Sequence, residues 1–137
     1  MIVDQIPGLV FHHVGVACRD LDTEERVFTA LGYRREGADF VDPVQGVVGR
    51  FLTGGGPRLE LLRGEREDGV LSPWLRKGAK LYHLAYEADD IASASAALGA
   101  VGAKAVVEPV SAVAFGGRAI AFFMLPNLLL VELISAR

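Results

Sequence analysis

Two histidines and two glutamates occupy matching positions in the two halves of this chain. His13 and His83 are 70 residues apart, and a glutamate follows each of them, Glu60 after 47 residues and Glu132 after 49. Imidazole nitrogens and carboxylate oxygens together suit a divalent ion such as cobalt, nickel, manganese, zinc or iron. Four protein ligands also leave open positions on an octahedral ion for a small-molecule substrate. The four residues therefore predict a divalent metal site.

The sequence around these residues repeats with the same spacing. Residues 13–21 align with residues 83–91, and residues 31–33 align with residues 101–103. Each half then ends in an apolar segment that carries its one glutamate. A period near 70 residues is too long for a solenoid repeat, so the repeat indicates duplication of one supersecondary module.

Each module is predicted to fold as a strand, a helix and further strands, which gives an α+β protein of two βαβββ units. One helix begins at a capping-box-like segment, residues 22–25, and ends at Gly32, and the other runs from near Asp90 to Gly102. Residues 54–57 predict a hairpin turn. The predicted strands span residues 11–17, 47–52, 58–62, 81–87, 105–107, 119–124 and 128–134.

The chain is predicted to be a single domain of 137 residues. Module 1 covers about residues 9–63, module 2 covers about residues 80–135, and residues 64–79 link them. Within the linker, Ser72 is expected to be the N-cap of a short helix with Pro73 in its first turn.

The alternation of side chains along a strand assigns the four polar residues to one face. In each of their strands the histidine or glutamate has the opposite parity to its apolar neighbours, such as Val14 and Val16 beside His13. The apolar faces would pack on the helices, so the four polar side chains project to the helix-free face. His12 has the parity of Val14 and is expected on the helix side.

Composition and charge exclude several classes of protein. The chain is 51% apolar and 23% charged, which is typical of a folded domain. With 14 Lys and Arg against 17 Asp and Glu, the net charge of −3 argues against binding to nucleic acid. Residues 1–7 do not resemble a signal peptide, and the apolar segment 119–134 is interrupted by polar residues. A single cysteine, Cys18, fits a reducing compartment. We therefore expect a cytoplasmic protein with no membrane partner.

Four sequence segments resemble the vicinal oxygen chelate superfamily, which includes glyoxalase I, bleomycin-resistance proteins and extradiol dioxygenases. They are His-Val-Gly-Val-Ala at 13–17, Leu-Glu-Leu-Leu at 59–62, Tyr-His-Leu-Ala-Tyr-Glu at 82–87 and Leu-Val-Glu-Leu at 130–133. The resemblance covers nearly the whole chain. It implies that the paired modules form a cupped mixed β-sheet, that the chain assembles as a homodimer, and that the metal ligands are His13, Glu60, His83 and Glu132.

Within that superfamily the chain is most similar to the methylmalonyl-CoA epimerase branch. The similarity lies in the Gln-Gly-Val segment at 45–47, the Ser72–Pro73 pair and the Tyr-His strand. The epimerases are expected to carry a proton-transferring glutamate directly before Gln-Gly-Val, where this chain has Val44. Asp42, two residues earlier, is the acidic residue that could substitute for it.

The resemblance implies that two adjacent substrate oxygens bind the metal, which stabilises an enediolate. Glu132 is the first candidate for the proton-transferring base, followed by Asp42 and then Glu60. The first functional hypothesis is a metal-dependent isomerase or lyase that epimerises an acyl-CoA thioester such as methylmalonyl-CoA. The alternatives are a glyoxalase-like lyase acting on a hemithioacetal and a non-catalytic protein that binds a drug or metabolite.

Other conspicuous residues have ordinary interpretations. Arg50 and Arg118 are expected to be solvated surface residues, with contact to a carboxylate or phosphate as the second interpretation. Cys18 is expected to be a small buried residue. The aromatic residues of the predicted strands, among them Phe122 and Phe123, are expected to pack in the core or in an interface.

Overall fold

The computed structural model describes residues 5–136 and confirms the predicted α+β fold of two βαβββ modules. Each strand that carries a predicted ligand is present, and a short 3-10 turn, Val113–Phe115, follows β6. The helices are α1 (Leu21–Thr29), α2 (Ser72–Lys77) and α3 (Ile91–Ala100). The strands are β1 (Leu9–Ala17), β2 (Arg34–Asp42), β3 (Val47–Thr53), β4 (Leu59–Gly64), β5 (Leu81–Ala88), β6 (Lys104–Ser111), β7 (Ala119–Met124) and β8 (Leu130–Ser135).

Residues 13–82 form the first of two compact units. Its strands lie in the order β2-β3-β4-β1, with β1 parallel to β4 and the other neighbours antiparallel. The helix side of this sheet packs against α1. The core of this side consists of Val16, Cys18, Leu21, Tyr33, Leu52, Leu59 and Leu61, with Val14, Phe28 and Val48 against it.

Residues 5–12 and 83–136 form the second unit, so β1 contributes its first four residues here. The other strands of the unit lie in the order β5-β8-β7-β6, with β5 parallel to β8. The side that packs against α3 has a core of Ala88, Ala94, Leu98, Ala103, Ala121, Phe123, Val131 and Leu133. Tyr86 packs against this cluster, and Phe123 belongs to it, which confirms their interpretation as packing residues.

The helix caps repeat with the 70-residue period of the sequence. Asp20 caps α1 by accepting a hydrogen bond from the N–H of Asp22, and Asp90 caps α3 by accepting one from Ala92. Asp20 is thus the N-cap that the sequence prediction placed at Asp22. Both helices end before a glycine in the left-handed region, Gly32 at φ 96° and Gly102 at φ 94°. Matching caps at both ends of both helices support duplication of one module.

The short helix predicted between the modules is present, but its cap differs from the prediction. Leu71 is the N-cap and makes no side-chain capping bond, so Ser72 is the first helical residue. A backbone N–H in the first turn of a helix has no partner within the helix, so Pro73 loses no hydrogen bond by lacking one. The helix ends at Gly78, whose φ of 71° suits glycine.

Among the described residues, no helix has the length and hydrophobicity that crossing a membrane requires.

Strand β2 was not among the strands that the sequence predicted. Most of its residues are exposed, because it lies at an edge of the sheet of the first unit. It therefore lacks the alternating burial that marks a strand in sequence. Strand β6, predicted as residues 105–107, runs to Ser111 for the same reason. Strand β8 begins at Leu130 because Leu128 lies in the turn before it, with a φ of 71°.

Candidate metal centre

In the first unit, β1 and β4 bring His13 and Glu60 together. Gly15, two residues after His13 on the same face of β1, is the register partner of Glu60 in the parallel pair. The Nε2 atom of His13 lies 3.1 Å from Oε1 of Glu60. Both residues are buried, with exposures of 0% and 4%. The alternation that places their neighbours Val16 and Leu61 in the helix-side core leaves this pair on the other face.

The second unit contains an equivalent pair. Ala85, two residues after His83 in β5, is the register partner of Glu132 in β8. The Nε2 atom of His83 lies 3.1 Å from Oε1 of Glu132. The two residues are 1% and 2% exposed. The duplicated module therefore builds the same buried histidine–glutamate pair twice.

Each pair also has a phenylalanine in the same place, which sequence reasoning did not assign to the site. Phe51 is the register partner of Glu60, and its ring meets the imidazole of His13 edge to face at 5.6 Å between centroids. Phe122 is the register partner of Glu132 and meets His83 at 5.3 Å. These contacts restrict how each imidazole can turn. The repeat contained the signal, because both phenylalanines stand on the third strand of their module.

The geometry of each pair fits two ligands of one divalent ion. Ligands at about 2.1 Å that are cis to each other on an octahedral ion lie about 3.0 Å apart. The observed Nε2–Oε1 separation is 3.1 Å in both units. The same separation suits a hydrogen bond from an imidazole N–H to a carboxylate. Among the described residues, the side chains able to hold a metal are His13, Glu60, His83 and Glu132.

Asp42, the second candidate base, lies at the end of β2 and closes the turn into β3. Its carboxylate accepts hydrogen bonds from the N–H of Val44 (3.1 Å) and from the N–H and the Nε2 of Gln45 (3.2 and 3.1 Å). Across the sheet, Asp42 is the register partner of Val47 in β3, and Val47 is the register partner of Gly64 in β4. Gly64 lies four positions after Glu60 in that strand. Strand spacing then puts the Cα atoms of Asp42 and Glu60 roughly 16 Å apart. The two carboxylates share a face but lie at different ends of it.

Arg50 is buried, so the expectation of a solvated surface residue was wrong. Its guanidinium makes a two-pronged contact with Asp39, 2.8 Å for each nitrogen–oxygen pair, and also contacts Asp22 at 2.8 Å and Glu25 at 2.7 Å. The hydrogen bonds that Arg50 donates to Asp39 raise the pKa of Arg50 further above its usual range. The bond from Arg50 lowers the pKa of Asp39. Arg50 therefore ties α1 to β2 and β3.

Arg118 is also an internal contact residue. Its Nη1 lies 2.7 Å from Oε2 of Glu87 and donates a hydrogen bond to the carbonyl of Ser135. Its guanidinium carbon also lies 5.9 Å from the centroid of the Phe115 ring. Its side chain is 28% exposed, so Arg118 is partly solvated as expected and also contacts a carboxylate of the same chain.

Cys18 is buried as predicted, at 1% exposure. Burial raises the pKa of its thiol to about 11, which keeps it protonated at neutral pH. His12, expected on the helix side, packs its ring edge to face against Phe115, with 5.4 Å between centroids.

Two cavities of the first unit lie apart from its histidine–glutamate pair. One, of about 320 Å³, is lined by residues from Cys18 to Glu24 and from Leu75 to Lys80. The other, of about 400 Å³, lies between the turn at residues 43–46 and the loop at residues 66–70. It opens next to the end of β4, where Gly46 accepts a hydrogen bond from the N–H of Glu65.

Comparison with known proteins identifies relatives of the whole chain. The family model for the Glyoxalase/Bleomycin resistance protein/Dioxygenase superfamily matches residues 12–122. A variant of the Streptomyces coelicolor methylmalonyl-CoA epimerase, solved with 2-nitronate-propionyl-CoA, is 29% identical with a TM-score of 0.75 and covers 92% of this chain and 93% of its own.

Two further structures share the fold at 24% identity. The methylmalonyl-CoA epimerase from Mycobacterium tuberculosis has a TM-score of 0.76 and covers 93% of this chain and 87% of its own. A hypothetical protein from Bacillus halodurans has a TM-score of 0.77 and covers 94% and 95%. No curated protein sequence matches the chain significantly.

Proposed function

We propose a function from the premise that this chain belongs to the glyoxalase/bleomycin resistance protein/dioxygenase superfamily. The chain would be a metal-dependent enzyme that moves a proton at the carbon next to the carbonyl of a 2-substituted acyl thioester. The observation that carries this proposal is the pair of buried histidine–glutamate contacts, one in each unit, with the same 3.1 Å separation.

We propose that both histidine–glutamate pairs are ligands of the same divalent ion. His13 and Glu60 would supply two ligands and His83 and Glu132 the other two, which is the donor set that cobalt, nickel, manganese, zinc and iron accept. Each pair is buried within its own unit, and burying carboxylates is costly unless a positive charge compensates them. A divalent ion supplies that charge and, when bound, acts as a Lewis acid toward the substrate oxygens.

Glu132 is the residue that we propose as the proton-transferring base. Its carboxylate is held beside His83 at the centre of β8, with Phe122 as its neighbour across the sheet. A carboxylate that holds an ion is a weak base, so Glu132 would have to detach from the ion to accept the substrate proton. Asp42, the second candidate, is engaged by the turn at residues 42–45. We therefore assign the transfer to Glu132 first.

A thioester with a long carrier arm suits the first unit. The cavity between residues 43–46 and 66–70 begins beyond Gly64, about 13 Å along β4 from Glu60. A small substrate at Glu60 would not reach it, whereas the extended arm of an acyl-CoA would. The Streptomyces coelicolor relative, an epimerase solved with an acyl-CoA analogue, supports the same substrate class.

Proton exchange tests the function without requiring the stereochemical outcome. Methylmalonyl-CoA is incubated in D₂O with protein loaded with Co²⁺, and deuterium at C2 is followed by NMR. We expect exchange that depends on the metal and falls at least about 100-fold in the Glu132→Gln variant. The matched control, Glu108→Gln on the exposed edge strand β6, should keep the rate. No exchange with the loaded protein, or an undiminished rate in Glu132→Gln, would contradict the proposal.

The turn that holds Asp42 favours a second candidate function. A reaction that needs one base, such as the glyoxalase-like isomerisation of a hemithioacetal, would require Glu132 alone, whereas a two-base epimerisation requires a second group. The same exchange assay with a hemithioacetal of a 2-oxoaldehyde distinguishes the two. Metal binding without turnover of either substrate would favour the non-catalytic alternative.

We also expect a cytoplasmic homodimer, which sedimentation would report as twice the mass of the chain.

A further inference from the structure

An aromatic ring lies directly on the backbone of β3 in the first unit. Phe40 in β2 is the register partner of Gly49 in β3. A Cβ atom added at Gly49 would lie only 2.0 Å from Cζ of Phe40, and within 2.6 Å of two further ring atoms. Any other residue at position 49 would therefore displace the ring. Glycine at this position permits the ring to cross the strand.

This ring extends an aromatic surface toward the candidate ligands. The centroids of Phe40 and Phe51 are 5.8 Å apart, with 35° between the ring planes. Phe51 in turn contacts the imidazole of His13 and is the register partner of Glu60. Both phenylalanines are only partly buried. We call Phe40 and Phe51 the aromatic wall.

The second unit fills the corresponding position differently. There the register pair equivalent to Phe40 and Gly49 is Val110 and Ile120. Ile120 is fully buried, at 0% exposure. The two modules thus share the histidine, the glutamate and the phenylalanine across from it, but only the first has a ring laid over glycine. The contact between Phe40 and Gly49 is therefore a feature of the first module that duplication does not explain.

We infer that the aromatic wall is the surface that selects the substituent at C2 of the substrate, and that it favours a flat apolar group over methyl. This inference rests on the function proposed above, because it assumes that the substrate oxygens sit at His13 and Glu60. Partly exposed rings beside a ligand pair gain free energy when an apolar group covers their remaining exposed surface. Phenyl rings in addition pair favourably with aromatic side chains at such separations.

The binding of two small 2-hydroxy acids tests the selectivity of the aromatic wall without requiring catalysis. Mandelate and lactate offer the same two adjacent oxygens and differ in having phenyl or methyl at C2. Their dissociation constants are measured by calorimetric titration of protein loaded with Co²⁺. We expect mandelate to bind about tenfold more tightly than lactate, which corresponds to covering one ring face.

Substitutions test whether the aromatic wall causes the preference for mandelate over lactate. Phe40→Ala should bring the two affinities within about twofold of each other. Gly49→Ala should do the same although it adds an apolar carbon, because it displaces the ring. Val41→Ala, on the opposite face of the same strand, and Val110→Ala in the second unit should leave the tenfold preference intact. Co²⁺ titration and thermal unfolding of each variant show that the metal site and fold are retained.

The outcomes separate this inference from the proposed function. Equal affinities for mandelate and lactate in the Co²⁺-loaded wild type would contradict selection by the aromatic wall. They would not contradict the proposed metal site. A tenfold preference that persists in both Phe40→Ala and Gly49→Ala would also overturn it. Failure of the wild type to bind Co²⁺ would overturn the proposed function, and this inference with it.

Discussion

At the scale of single residues, position within the sheet decides which acidic groups can do chemistry. Glu60 and Asp42 lie on the same face of the first unit, yet only Glu60 sits beside a histidine. The three hydrogen bonds that Asp42 accepts come from the turn that it closes. We therefore interpret Asp42 as a group that orders the turn, and a substitution can separate that role from proton transfer.

The Asp42→Asn variant should keep proton exchange at C2 within about threefold of the wild type, because Asn keeps an oxygen that can accept from the backbone N–H groups. The Asp42→Ala variant loses that acceptor and should lower the melting temperature by several degrees. Exchange in D₂O and thermal unfolding are measured on both variants. A loss of exchange above about 100-fold in Asp42→Asn, with an unchanged melting temperature, would instead identify Asp42 as a proton-transfer group.

The sequence contained enough information for the four candidate ligands but not for their surroundings. His13 and His83 stand at the start of matching segments, and strand parity separates them from their apolar neighbours. Phe40 and Gly49 carry no such signal, because their contact depends on the register between β2 and β3. Arg50 lies among valines and glycines in sequence, and its carboxylate partners come from two other elements.

At the scale of secondary-structure elements, Arg50 holds the edge strand β2 and helix α1 against β3. Its side chain is 6% exposed, whereas Arg35, which contacts two of the same carboxylates, is 51% exposed. Removing a buried partner leaves charges uncompensated, whereas removing an exposed one costs little. The two arginines thus form a matched pair of sites for measuring what the buried contact contributes.

At pH 7 we expect Arg50→Met to lower the free energy of unfolding by about 2 kcal/mol, and Arg35→Met to lower it by less than about 0.5 kcal/mol. Because Arg50 lowers the pKa of Asp39, the stabilisation is present above the ordinary pKa of 3.8 and is lost as the pH falls below it. The difference between wild type and Arg50→Met should therefore shrink at pH 3. Urea unfolding at both pH values measures it, and a difference that grows at pH 3 would contradict this account.

Sequence patterns predicted the buried elements well and the edge strands poorly. Strand β7 has the predicted bounds, because it lies between β8 and β6 and is buried along most of its length. Strand β2 was missed and β6 was predicted too short, because an edge strand with exposed residues lacks hydrophobic alternation. The predicted N-caps of α1 and α2 were displaced by two residues and by one residue, whereas α3 follows its N-cap Asp90, near which it was predicted to begin. Asp20 and Asp22 are both capable N-caps, and only the backbone path selects between them.

At the scale of the whole molecule, duplication accounts for most of the fold and for both halves of the candidate site. The helix caps Asp20 and Asp90 are 70 residues apart, and the candidate ligands His13 and His83 have the same offset. Each unit contains one histidine and one glutamate, which is half of the proposed set of four protein ligands. We propose above that His13, Glu60, His83 and Glu132 hold a single ion.

The number of divalent ions bound per chain tests whether the four residues hold one ion. It is measured by elemental analysis on protein purified without a polyhistidine tag or chelator, together with His13→Ala from the first unit and Glu132→Ala from the second. We expect about one ion per chain in the wild type and almost none in either variant, because each variant removes a proposed ligand of the same ion. Two ions per chain, with one retained in each variant, would contradict the shared site. No uptake of Co²⁺, Ni²⁺, Mn²⁺ or Zn²⁺ by the wild type would contradict a metal centre altogether.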